Sequence, residues 1–183
     1  MAEEQKTEQQ RQTQIIDPTP FRRKHLTEVL YAFLDDKISL AELKGISRDQ
    51  LFQLSEAGYV RFKHGRLEEA EKIFQALILL DHRNAYFHAM MGAVHQKLNR
   101  PIESIMEYSQ SVKINPKDIA SFVNRGELYL RHKNYRKAAE DFRSAILLDM
   151  SGANLWANRA RSLVIAIKRS MDADTSRKSL RGR

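Results

Sequence analysis

The sequence contains no cysteine, which excludes a disulfide framework, a thiolate metal site and a thiol nucleophile. Glycine and proline are scarce, at 7 and 4 of 183 residues. That is too few turn-formers for the many short connections of a β-sandwich or barrel. Long apolar runs are missing as well: segments such as Ala76–Leu80 fall far short of the roughly 18 consecutive apolar residues of a spanning helix. Met1 to Gln14 is polar and glutamine-rich, without the apolar stretch and small-residue cleavage site of a secretory signal. These absences lead to the expectation of an all-α cytoplasmic protein that does not insert into a membrane.

What is present is a core's worth of apolar residues on a charged surface, 42% hydrophobic and 30% charged. The net charge of +8 is unevenly placed, because residues 153–183 hold eight basic and two acidic groups. The high isoelectric point therefore comes mainly from the C-terminal end.

A 34-residue period organises the middle of the chain. Gly58, Gly92 and Gly126 follow one another at that spacing, and the next step reaches Ala160. Counted in repeats from Leu51, Ala85 and Ile119, the twentieth residue is Ala70, Ser104 and Ala138, and the twenty-fourth is Phe74, Tyr108 and Phe142. Small and aromatic classes recur in register. This resembles the tetratricopeptide pattern, in which two amphipathic helices per unit approach closely at small residues and each unit buries its face only against its neighbours.

Helices are predicted at about 47–63, 67–80, 84–98, 101–114, 118–132 and 135–148, with a capping helix from about 153 to 170. Ser47-Arg-Asp-Gln50 has the form of a capping box, and Pro101 suits a first helical turn. The expected fold is thus an all-α tetratricopeptide-repeat solenoid of three helix pairs, residues 51–84, 85–118 and 119–152 within 47–171, with an N-terminal helix and a C-terminal capping helix. In the N-terminal helical region, 21–46, Leu26, Val29, Leu30 and Phe33 form an i, i+3, i+4, i+7 stripe that either packs on the array or pairs with another chain. Residues 1–20 and the basic tail 172–183 are expected to be disordered.

From about Ile46 to Asp149 the chain resembles the class II chaperones of bacterial type III secretion. The likeness is carried by Phe74-Gln-Ala-Leu-Ile-Leu-Leu-Asp-His82, by Gly92-Ala-Val-His-Gln96, and by Glu127 and Leu130. The resemblance implies a bacterial cytoplasmic chaperone, linked to virulence, that keeps pore-forming translocator proteins unassembled before export. It further implies that an extended apolar client segment lies in the concave groove, and that homodimers form through the N-terminal region. Two features depart from the family: its members are usually acidic, and a family aromatic at the fifth position of the first repeat is Ser55 here.

In such arrays the first helix of each unit lines the groove, at positions two, five, nine and twelve. The candidates are Phe52, Ser55, Tyr59 and Phe62, then Tyr86, Ala89, Ala93 and Gln96, then Ala120, Val123, Glu127 and Leu130, with Asn124 beside them. Aromatic knobs next to small alanines make pockets for bulky side chains of an extended peptide. A two-carboxylate clamp for a chaperone C-terminus is not expected, since its positions hold Ser55, Tyr59, Met90, Ala120 and Asn124. His88 and His95 share a helix face but match no zinc signature, so no metal is expected and they are assigned to packing without a carboxylate partner. No catalytic motif or cofactor fingerprint occurs, and the chain is expected not to be an enzyme. Trp156, at a repeat position, is assigned to the core. The alternative readings are a general tetratricopeptide adaptor for another complex, and nucleic-acid binding through Arg159, Arg161, Lys168, Arg169, Arg177, Lys178, Arg181 and Arg183. Nucleic acid is the less expected partner.

Overall fold

In a computed structural model of the chain, the backbone is described from Pro20 to Arg181 and side chains from His25 to Arg169. Residues 1–19, most of the segment expected to be disordered, lie outside the described residues. The described elements are all helices: α1 (Pro20–Leu34), α2 (Leu40–Leu43), α3 (Arg48–Lys63), α4 (Leu67–Leu80), α5 (Ala85–Lys97), α6 (Pro101–Ile114), α7 (Ile119–Arg131), α8 (Tyr135–Leu148) and α9 (Leu155–Arg181). The chain divides into two compact units between Ile46 and Ser47.

In the first unit α1 packs on α2, and Ser39 closes a capping box with Glu42 at the start of α2. Along α1, Leu26 is 62% and Leu30 47% exposed, while Val29 and Phe33 are half-buried.

In the second unit each helix packs on the next, and α9 lies against both α7 and α8. The helix starts follow local chemistry. Ser47 accepts from the Gln50 amide at 3.2 Å while the Gln50 side chain accepts from the Ser47 amide at 2.9 Å, which satisfies two backbone donors left unpaired at the helix N-terminus. Asn84, Asp118 and Asn134 cap α5, α7 and α8 with side-chain oxygens, and Pro101 occupies the first turn of α6. The turn inside each repeat reaches a left-handed conformation at the same position, Gly65, Asn99 and Lys133, with φ of 74°, 58° and 58°. Only the first of these is the residue that adopts such a φ without strain.

The core follows the period. Ala70, Ser104 and Ala138 are fully buried, as are Phe74, Phe142, Leu77, Ser111 and Ala145, with Tyr108 at 1%. A Cβ at Gly58, Gly92 or Gly126 would stand within 3.0 Å of a neighbouring side chain, and in each case the aromatic ring at position twenty-four of the same repeat is among the atoms met. The recurring glycine is thus the space into which the recurring ring fits. Arg125 adds a polar clamp, bonding both oxygens of the buried Asp141 at 2.9 and 2.7 Å.

Two expectations are corrected. The last helix continues past residue 170 to Arg181, through ten residues assigned to the disordered tail; no glycine or proline occurs between Leu155 and Arg181 to stop it. Trp156 is not core but 38% exposed.

Candidate functional site

Two clefts open along the inner face of the repeats, of about 940 Å³ and 740 Å³. Tyr86 and Ala85 line both and so join them into one run. The Tyr86 ring is held edge-on by Phe74, 6.5 Å away at 73°, and by Phe87, 6.3 Å away at 66°. It is 46% exposed. An aromatic fixed on one side and open on the other presents apolar area at little entropic cost. Burial, with Tyr59 and Glu56 nearby, pushes its phenol above the ordinary value of 10.0.

The first cleft is walled by Phe52 and Ser55 from α3 and by Asp81, Arg83 and Asn84 from the turn before α5. Phe52 is 64% exposed, whereas Ser55 is buried and donates its hydroxyl to the Phe52 carbonyl at 2.7 Å. Tyr59 stands in neither lining but is exposed on the same helix, with Lys63 Nζ 5.9 Å from its ring centre.

In the second cleft, Phe62, Tyr86, Ala89 and Ala93 form an apolar part and Gln96, Asn124 and Glu127 a polar one. The buried Tyr108 ring lies beneath, its hydroxyl donating to Gln96 Oε1 at 3.1 Å with Asn124 also in hydrogen-bond contact. Burial raises the Tyr108 phenol, so it remains a neutral donor. At the far end Arg159 of α9 grips both carboxylate oxygens of Glu127, with its Nη2 2.9 Å from Oε2. The same guanidinium sits 5.9 Å from the Trp156 ring centre. Bidentate pairing and stacking fix the arginine as a wall of the cleft.

The clefts thus bring together Phe52, Ser55, Phe62, Tyr86, Ala89, Ala93, Gln96, Asn124 and Glu127, along with Ala120. Val123 is a correction: it is fully buried in a cluster with Phe142, Ala145 and Ala160, because α9 lies along α7 and draws this position into the core. Leu130 is half-buried against that cluster. Arg131 lines the cleft of the third repeat instead. Sequence reasoning also missed Trp156 and Arg159 as cleft residues. Their signal was positional: Trp156 stands at the fourth repeat position, and Arg159 one residue before Ala160, the counterpart of Gly126.

His88 does have a carboxylate partner, supplied by another helix: its Nδ1 is 2.7 Å from Glu107 and its Nε2 is 2.9 Å from the His82 carbonyl. The buried His95 Nδ1 has none within hydrogen-bond reach, since Glu71, 3.8 Å away, is bound by Arg100 at 2.7 Å. Among the described residues no three His, Cys, Asp or Glu side chains gather to hold a metal, and no helix is long and apolar enough to cross a membrane.

A tetratricopeptide-repeat family model matches residues 119–149. The low calcium response locus protein H of Yersinia pestis is 28% identical over 139 residues, 75% of this chain and 83% of that protein. A crystallised type III secretion complex from Aeromonas hydrophila contains a chain 33% identical, with a TM-score of 0.73 over 79% of this chain and 98% of that one. The Yersinia enterocolitica type III secretion translocator chaperone SycD is 28% identical, with a TM-score of 0.65 over 70% of this chain and 98% of its own. SycD has also been solved with a peptide of the translocator YopD. Helix order, repeat period and these likenesses agree, and the chain belongs to the tetratricopeptide-repeat chaperones of type III secretion translocators.

Proposed function

We propose that this protein is a non-catalytic cytoplasmic chaperone that holds an extended apolar segment of a translocator in the joined clefts and so keeps that client unassembled before export. The observation that carries this reading is the open run of Phe52, Tyr86, Phe62, Ala89 and Ala93 along the inner face, where rigid aromatics border small residues and leave room for side chains. SycD in complex with a YopD peptide, a related fold with a bound segment, supports it. Gln96 and Asn124 offer amides to a backbone that would otherwise lose its water bonds. The exposed Leu26 and Leu30 on α1 form the self-association surface in this reading.

The test is titration calorimetry with the translocator that co-purifies with the full-length chain. Tyr86→Ala removes the aromatic that lines both clefts and Ala93→Glu fills and charges the second. Each is expected to weaken binding by about 2 kcal/mol, close to thirtyfold, with an unchanged circular dichroism spectrum. Glu68→Ala on α4 should do neither. Normal binding by both cleft variants rejects the groove mechanism.

A further inference from the structure

The first helix of each of the three repeats ends on a cation. Lys63, Lys97 and Arg131 each stand thirteenth in their repeat, one 34-residue period apart, and each is the last residue of its first helix. All are exposed. Among the described residues none of them has an ion-pair partner. Lys97 and Arg131 line the same cleft as Ala89 and Ala93.

The acidic groups of that cleft are already engaged. Asp118 caps α7 and accepts from the Ser121 and Ser111 hydroxyls at 2.5 and 3.1 Å. Glu127 is held through both oxygens by Arg159. The hydroxyl bonds leave Asp118 its charge, whereas Arg159 balances Glu127, so Lys97 and Arg131 together leave the cleft net positive by one charge. A helix C-terminus favours a cation, which accounts for one such residue at one helix end. It does not account for two unpaired cations beside the apolar part of a cleft whose carboxylates are both occupied.

We propose that the segment taken up by this groove is acidic as well as apolar: its apolar side chains enter beside Tyr86, Ala89 and Ala93, and its Asp or Glu residues meet Lys97 and Arg131. This rests on the groove reading above and adds the chemistry of the client to it.

The test is selection from a random peptide library displayed on phage, carried out on the full chain and on the double variant Lys97→Glu/Arg131→Glu. Circular dichroism checks the fold, and Lys97→Gln/Arg131→Gln replaces the double variant if charge reversal unfolds it. Peptides selected on the native chain should be enriched in Asp and Glu next to apolar residues, and the enrichment should vanish on the variant. A selected acidic peptide should also lose about tenfold in affinity when salt is raised to about 0.5 M, where exposed charges are screened within a few ångströms. Absence of acidic enrichment, or equal enrichment on the variant, overturns the inference while peptides still compete for the groove. Selected peptides that bind Ala93→Glu as tightly as the native chain sit elsewhere, and they overturn the groove reading together with the inference.

Discussion

Replacing Gly92 with leucine tests the packing logic of the repeat at its tightest point. A Cβ at this position would lie 2.9 Å from Cδ1 and 3.0 Å from Cε1 of Tyr108. The ring cannot swing away, because it is 1% exposed and its hydroxyl is tied to Gln96. Nor can the helices part freely, since Ser104 Oγ donates to the Gly92 carbonyl at 2.7 Å in the buried contact. Helix propensity alone would favour a non-glycine residue here by about 1 kcal/mol. Overpacking costs about 1–3 kcal/mol, and loss of the Ser104 bond adds about 1 kcal/mol. The steric terms win, and a net loss of about 2 kcal/mol is expected. For a chain of this length that lowers the thermal midpoint by about 4–8 °C, measurable by circular dichroism and by urea titration. Adding Tyr108→Ala opens room for the leucine, so the double variant should be less destabilised than the sum of the single ones by about 1–3 kcal/mol. An unchanged midpoint for Gly92→Leu, or strict additivity, would refute the argument that ring and glycine are one fitted contact.

Other consequences follow from particular contacts. Burial alone would lower the His88 pKa, but Glu107, the His82 carbonyl and Asp81 together hold it above the ordinary value of 6.5. A raised folded value stabilises the protein fully below the unfolded value and fades as pH rises through the folded one. Urea midpoints of the native chain should therefore fall as pH rises above 6.5, and Glu107→Gln should flatten that slope; an identical slope would reject the pairing. Lys133 holds a φ of 58° in a turn where the first repeat has glycine, so Lys133→Gly should raise stability by about 0.5–1 kcal/mol in the same titration. Leu26→Glu with Leu30→Glu should leave a folded monomer by light scattering, whereas a dimer of unchanged mass would remove α1 from the association surface.

How far the sequence revealed this molecule depended on whether the information was periodic. Gly58, Gly92 and Gly126 with Phe74, Tyr108 and Phe142 repeat in register, so the helix pairs and their buried contacts were visible without coordinates. The cap at Ser47 was equally legible because it is local chemistry over four residues. Contacts made at the end of the array were not. Glu127 meets Arg159 across 32 residues, and the capping helix breaks the repeat, so the place of Arg159 beside the Gly126 counterpart did not by itself mark a cleft wall. For the same reason Val123, a groove position by period, packs inward where α9 covers α7. The carboxylate partner of His88 comes from α6, a pairing of helix faces that spacing on α5 alone does not encode.

The most direct measurement is photocrosslinking from the groove in cells that make the translocator. Phe52 and Tyr86 on the first helices and Tyr135 on α8 are all exposed aromatics, and the first two line the clefts. Each is replaced singly by the photoreactive p-benzoylphenylalanine, which keeps the ring. If the joined clefts hold the client, irradiation links the translocator to positions 52 and 86 and leaves position 135 unlinked, and Ala93→Glu abolishes both links. Crosslinking at position 135 with none at 52 or 86 would contradict the account and move client binding to the outer face.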